Sequence, residues 1–412
     1  MYKPRVLFPF VEAGMGHIMP QRSICDAFEE KYGQYVTVIR SRFFSETNDR
    51  KLMELEKSFV NEVKKYNRSA AYGFFNMWLM KIFGPRFLSK IIMDKYIPGA
   101  MKAATTHMEE FKPDMVVSTH WSTNYYARHL ASRPLTVTYI PDIQIIPLCR
   151  YENDMTLISA ERGYKKALKK YKKRFNKDNL RLVPFAIRKE AFELSMDKKE
   201  NRKALGLAED KFTVVMFEGG YGLGRMNSIC KLLAQSDLDI TVIAICGMNK
   251  KLYNKLKALK PNPGVNLVVE GYCENTLQYI AASDLFLGKS GASSVAEPTY
   301  FGVAEIITKY ATSMEKDNAE YYIEDVQNAV RIFNPQKAVA KIREFIEHPE
   351  EIEKMQENAL KYHGNYGSEK TADVLWEMLC KKYPDLATID IETAEHRENR
   401  LKKEREEKIN DK

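Results

Sequence analysis

The chain has 412 residues, more than one compact core accommodates and enough for two or three domains. With 44% hydrophobic and 29% charged residues it reads as globular protein, and the lack of an apolar run of 18 residues excludes a conventional transmembrane helix. The net charge of +9 is unevenly placed: residues 162–189 hold twelve Lys and Arg against one acid, Asp178. Such a stretch points to an anionic partner (nucleic acid, anionic lipid or phosphate) or to a solvated helix face.

The N-terminus, MYKPRVLFPF, enters a strand-like run after four residues, with no signal-peptide apolar region and cleavage site. Six cysteines (Cys25, Cys149, Cys230, Cys246, Cys273, Cys380) form no CxxC pair. The expectation is a reducing cytosol, without a disulfide scaffold or zinc site.

In chain order, Val6–Val11 reads as a buried strand, followed by a glycine loop and a helix from about Pro20 to Lys31. Tyr35–Arg40 is a second strand. Met115–Ser118 and Leu135–Ile140 are short apolar strands, and Thr156–Ser159 a weaker one. Strand and helix in alternation imply a parallel sheet wrapped by helices. The pattern restarts at Phe212–Phe217. It runs on through a helix near Arg225–Ala234, strands Asp239–Cys246 and Asn266–Glu270, and a helix around Asn275–Ala282. The strand Leu285–Gly288, a helix after Gly291 and the strand Val303–Thr308 follow. Two such runs predict an α/β protein of two doubly wound, Rossmann-like domains, with a polar boundary between Pro184 and Lys211.

Two segments stand apart. Residues 67–103 hold seven aromatics among mostly basic charges; Phe75, Trp78, Leu79, Ile82 and the adjoining Phe83 lie on a helical stretch that ends at Gly84-Pro85, and Phe87, Leu88, Ile91 and Ile92 form a second turn. This is either core packing or an amphipathic insertion for a bilayer interface. Residues 388–412 are charged at fifteen of twenty-five positions and read as a frayed or disordered tail.

Three loops are candidate sites. Ala13-Gly14-Met15-Gly16-His17 follows the first strand, where doubly wound sheets bind ligands. Its glycines admit close backbone approach, and His17 is a general base or a capping histidine. Gly219-Gly220-Tyr221-Gly222-Leu223-Gly224 carries four glycines between strand and helix but no P-loop Lys-Ser/Thr. Gly288-Lys-Ser-Gly-Ala-Ser-Ser-Val-Ala-Glu297 places hydroxyls and free N–H groups where a diphosphate fits. Glu297 then faces a ribose diol or is an ordinary helical glutamate.

Together these residues resemble a GT-B glycosyltransferase of the monogalactosyldiacylglycerol synthase and processive diacylglycerol glucosyltransferase family, over about residues 3–380. Gly14-Met15-Gly16-His17 resembles the opening Gly-Gly-Gly-His loop, with Met15 for a glycine. Val137–Asp142 resembles the strand ending in aspartate, and Pro184–Arg188 the Pro-Val-Arg segment between domains. Ile245–Leu252, Gly271-Tyr272, Ala281–Asp284 and Gly291–Glu297 resemble the nucleotide-sugar motifs, and Glu315–Asn318 the Gln-Glu-x-x-Asn segment. Lys289-Ser290 and Pro298 depart from the family's Lys-Pro and Ala.

The resemblance implies two domains facing across a cleft: an acceptor domain, 1–188, with the insertion 67–103, and a nucleotide-sugar domain, 189–365. A helix at 366–387 would pack back on the first domain, ahead of the tail 388–412. It also implies inverting transfer of a hexose from a UDP-sugar to a lipid, diacylglycerol or a polyprenyl-linked acceptor, with no cofactor and no metal. His17 would be the base and Asp142 its alternative. Gly14, Gly16, Arg188, Gly219, Gly220, Gly222, Gly247, Tyr272, Ser290, Gly291, Ala292, Ser293, Glu297, Glu315 and Asn318 would hold the donor. Phe75, Trp78, Leu79, Ile82, Phe83 and Phe87, with the cationic stretch, would dock a peripheral enzyme on an anionic inner leaflet. An epimerase would need further cleft carboxylates, and nucleic-acid binding would need aromatics interleaved with the basic run; neither is found.

Overall fold

The computed structural model describes residues 2–12, 15–47, 49–83, 99–150, 153–220 and 224–389, with backbone alone at Met15, 67–68 and 80–83. Gly14, Gly222 and Phe87, the side chains of Ile82 and Phe83, and nearly all of the charged tail lie outside the described residues.

The first half runs β1 (Arg5–Pro9), α1 (Met15–Tyr32), β2 (Thr37–Ser41), α2 (Arg50–Arg68), α3 (Ala70–Phe83), α4 (Ala100–Glu110), β3 (Met115–Ser118), α5 (Trp121–Ala127), β4 (Leu135–Ile140), β5 (Met155–Ile158), α6 (Glu161–Lys170) and β6 (Leu180–Leu182). Its strands form a parallel sheet in the order β2-β1-β3-β4-β5-β6. The second half runs α7 (Lys198–Ala204), β7 (Phe212–Phe217), α8 (Met226–Ala234), β8 (Ile240–Ile245), α9 (Lys250–Lys257), β9 (Val265–Glu270), α10 (Thr276–Ala281), β10 (Leu285–Lys289), α11 (Ala292–Tyr300), β11 (Ala304–Lys309), α12 (Ser313–Tyr321), β12 (Ala329–Arg331), α13 (Pro335–Glu347), α14 (Glu350–Leu360) and α15 (Glu369–Lys382). Its sheet is also parallel, β12-β11-β10-β7-β8-β9.

Helices cover both faces of each sheet, so the central strands are mostly apolar; β3 and β8 are buried at every residue. Successive residues of β1 feed opposite cores: Leu7 joins Val116 and Ile140 beneath α2, α4 and α5, whereas Val6 and Phe8 join Ile24 and Phe28 of α1. The second of these cores is completed by α15, which returns from the other half and buries Ala372, Leu375 and Leu379 against the first sheet. Lys31 pairs with Asp373 at 2.7 Å, and the Tyr32 ring stacks on Trp376 at 4.6 Å.

Some elements differ from the expectation. β1 stops at Pro9, and α1 opens at Met15, not Pro20, so Pro20 lies inside it. The buried face of Ile24 and Phe28 holds the helix together despite the missing Pro20 N–H. α11 likewise continues through Pro298 to Tyr300. The three-residue edge strands β6 and β12 are too short for a periodic signal. The six cysteines are free thiols. No helix among the described residues is long and apolar enough to cross a membrane.

Both sheets reverse their strand order at one place. The chain leaves β1 for β2 on one side and returns to β3 on the other; β7 stands in the same relation to β8 and β10. Loops at the carboxyl ends of such strands diverge and leave a crevice. Each crevice is lined by loops that the sequence marks.

Candidate functional site

In the first sheet the crevice lies between the ends of β1 and β3. His17, in the first turn of α1, brings its Nδ1 within 2.8 Å of the Thr119 carbonyl, and the Thr119 hydroxyl donates to the His17 carbonyl at 2.8 Å. A carbonyl only accepts, so this bond places a proton on Nδ1 and leaves the Nε2 lone pair of the neutral ring for another proton.

His120 stands edge-on to His17, ring centres 5.3 Å apart. It is buried, and its Nδ1 lies 2.7 Å from the Ser122 hydroxyl. Burial, with the neighbouring His17, holds its pKa well below the ordinary imidazole value. The sequence reading passed over His120. The available signal was a polar Ser-Thr-His run directly after a buried strand, on the second arm of the same crevice.

Asp142 follows β4 and points at the other half of the molecule. Its Oδ1 accepts from Asn318 Nδ2 at 2.9 Å. Burial raises its pKa above the usual carboxylate value, against the Asn318 bond and the nearby His17. Asn318, on α12, also donates to the Ser290 carbonyl at 3.1 Å and accepts from the Ile143 N–H at 3.0 Å. Its amide hydrogens are therefore both committed in this structure. The resemblance gives Asn318 to sugar hydroxyls; the structure shows it as a bridge between the two halves.

In the second sheet the crevice lies between β7 and β10. Glu218, at the end of β7, is buried beneath the glycine loop and caps α8. It accepts from the Arg225 N–H and, at 3.0 Å, from the Met226 N–H. Burial raises its pKa. The tip of α8 thus carries an internal carboxylate. Gly247 supports the loop from below: its φ of 57° and lack of a side chain let Met248 N–H reach the Gly220 carbonyl at 2.9 Å.

The tip of α11 is different. Gly291 is its N-cap and offers no side-chain cap, and the buried Ser293 hydroxyl has no partner among the described residues. Ala292 rests against Phe185. Free N–H groups and an unused hydroxyl in the first turn are the features that accept an anion.

Two ion pairs flank this tip. Glu297, one and a half turns on, receives Arg188 Nε and Nη2 at 2.9 Å each; the two side chains are 7% and 17% exposed. Lys289 donates to Glu315 at 2.7 Å, the Ala311 N–H takes the other carboxylate oxygen at 2.5 Å, and the Ser290 hydroxyl donates to the Glu315 carbonyl at 2.6 Å. Beyond β9, Tyr272 is 71% exposed. α1, the helix that carries His17 in its first turn, packs against α11.

Among the expected lipid contacts, Phe75 and Trp78 are 57% and 54% exposed and stack on each other, ring centres 5.9 Å apart; Leu79 is half-buried. The other face of α3 turns inward through Gly73 and Met77.

Comparison with known proteins agrees with this arrangement. Residues 225–372 match the glycosyltransferase family 28 C-terminal domain. A probable chloroplastic monogalactosyldiacylglycerol synthase of Nicotiana tabacum is 23% identical over 383 residues, 87% of this chain and 67% of the relative. The processive diacylglycerol beta-glucosyltransferase of Bacillus subtilis is 23% identical over 367 residues, 87% of this chain and 91% of the relative. Among solved structures, MurG of Acinetobacter baumannii superposes with a TM-score of 0.59 at 14% identity, covering 92% of this chain and all of its own. Two parallel sheets, with similar proteins matched along most of the sequence, support a UDP-sugar-dependent glycosyltransferase of the GT-B fold, similar to monogalactosyldiacylglycerol synthases and processive diacylglycerol glucosyltransferases.

Proposed function

We propose that this glycosyltransferase moves a hexose, with inversion, from a UDP-sugar to the hydroxyl of a membrane lipid of the diacylglycerol class. The observation that carries the reading is the uncapped α11 tip, set between Glu297–Arg188 and Lys289–Glu315, on a helix that packs against α1, which carries His17. The names of the relatives support the acceptor class.

The diphosphate would lie on the N–H groups of Ala292 and Ser293 with the Ser293 hydroxyl, its growing charge met by fixed dipoles. Glu297 would receive the ribose hydroxyls through lone pairs that Arg188 leaves unused, since an ionised carboxylate has about four. Glu315, held by Lys289, would face the sugar. The base edge would meet backbone at Gly271-Tyr272. His17 Nε2 would take the acceptor proton as its oxygen attacks the anomeric carbon and the bond to UDP breaks. One displacement on one face inverts the centre. Asp142 orients the acceptor or replaces His17 as base.

Membrane contact would be peripheral. α3 packs on the turn Pro147–Cys149. Just beyond it, Arg150 stacks on Tyr171 at 4.0 Å and receives Arg174 on its carbonyl. The aromatic helix thus packs near one end of the cationic stretch, and such a pairing would suit an anionic leaflet.

A panel of UDP-hexoses with diacylglycerol or polyprenyl phosphate in mixed micelles tests the reading. Transfer to diacylglycerol, with inversion seen by NMR, is expected. Transfer only to polyprenyl phosphate, or to neither lipid, overturns it.

A further inference from the structure

We propose that Gly73 is a positioning residue for the donor site, and that α3, seated there, links a bilayer surface to that site; this rests on the second domain being the UDP-sugar domain. α3 belongs to the first half, yet its inner face lies on the second. A Cβ at Gly73 would stand 2.1 Å from the Ala311 carbonyl oxygen and 3.4 Å from the Thr312 methyl. The neighbouring Phe74 ring meets Tyr310 at 5.9 Å, and Tyr310 meets Phe333 edge-on at 4.9 Å. α3 also packs against α12.

The same residue, Ala311, is tied to the donor-site side chains through its N–H. The Ala311 N–H donates to one oxygen of Glu315, Lys289 takes the other, and the Glu315 carbonyl receives Ser290. Ser290 precedes Gly291, the N-cap of α11. From Gly73 to the α11 tip there are thus three direct contacts: helix to Ala311, Ala311 to Glu315, Glu315 to Ser290.

Only glycine permits the first of them. Any side chain at position 73 forces the loop or the helix back by about 1 Å or more, since non-bonded atoms need well over 3 Å. A misplacement of that size, even far from the reacting atoms, can cost on the order of a hundredfold in rate. The outer face of α3 carries the exposed Phe75–Trp78 stack, and the helix packs on Pro147–Cys149, the turn that Arg150 follows. A bilayer that seats those rings holds α3 against Ala311, and so favours the arrangement in which Glu315 and Ser290 are set.

The test is UDP titration calorimetry on the full chain, with and without vesicles of phosphatidylglycerol and phosphatidylcholine. The parent is expected to bind UDP about threefold or more tightly on vesicles. Gly73→Leu is expected to bind UDP at least about tenfold more weakly in buffer, to keep pelleting with vesicles, and to gain nothing from them. Phe74→Ala, a milder change at the same seat, is expected to show about a threefold loss and decides the matter if Gly73→Leu does not fold. Parent-like UDP affinity in Gly73→Leu, or in Phe74→Ala where Gly73→Leu is unfolded, overturns the positioning role. A parent whose UDP affinity ignores vesicles overturns the bilayer link. A parent that binds no UDP in either condition overturns the donor-site reading itself.

Discussion

Arg188 holds both carboxylate oxygens of Glu297, Nε to Oε1 and Nη2 to Oε2, across 109 residues of sequence. The pair joins the segment between the two sheets to α11, and both partners are largely removed from water. Taking one away leaves the other charge buried and unmatched. Single changes Arg188→Ala or Glu297→Ala are expected to cost roughly 3–5 kcal/mol of stability, and the double change less than their sum. Urea unfolding of the four proteins checks this, and additive losses would show that the pair is not coupled. UDP affinity should fall at least about tenfold in each single variant if Glu297 also meets the ribose.

His17 presents Nε2 to the cleft because Nδ1 is spent on the Thr119 carbonyl. His17→Ala is expected to lower kcat by about 10²–10⁴, the usual worth of a positioned base, while UDP affinity stays within about twofold. Steady-state transfer together with UDP titration separates the two effects. An unchanged kcat would pass the role to Asp142.

Asn318 is bonded to Asp142 and Ile143 on one side and Ser290 on the other. Asn318→Ala removes two bonds between the halves and one within the second half, at little cost to either core. The expected result is a wider cleft, seen as a larger radius of gyration by small-angle scattering, with kcat down about tenfold or more. A scattering curve identical to the parent would show that the halves are held elsewhere.

Glu305, on β11, is fully buried. Its Oε1 accepts from Thr299 at 2.9 Å and Asn328 at 3.2 Å, and Oε2 has no partner among the described residues. Burial raises its pKa well above the ordinary carboxyl value. The folded chain therefore keeps a proton that the unfolded chain gives up. Below about pH 4 both forms hold it and pH has no effect through this group. Above that, the unfolded state binds fewer protons, and stability falls with rising pH by up to about 1.4 kcal/mol per unit until the native pKa is passed. Glu305→Gln should flatten this slope. Urea midpoints at pH 5 and pH 8 measure it, and equal slopes in parent and variant would show that Glu305 is ionised in the fold.

Much of the architecture was legible in the order of residues. Buried parallel strands are near-continuous apolar runs, so stretches such as Ile240–Ile245 announce themselves, and glycines cluster where strand turns into helix. Both crevices were marked in this way. His120 was not, because a histidine two residues past a strand has no meaning until β3 is known to lie beside β1. Glu218 was passed over for a related reason. Its cap on α8 depends on how the glycine loop folds back, which the loop's composition leaves open.

The sequence alone determined which segments are strands and helices and which loops carry glycine, because those follow from local pattern and the burial it permits. The pairing of Glu297 with Arg188, of Asp142 with Asn318 and of Gly73 with Ala311 was decided only by the tertiary structure. Each joins residues more than a hundred positions apart, and such a contact exists only once two separately folded sheets have been brought face to face.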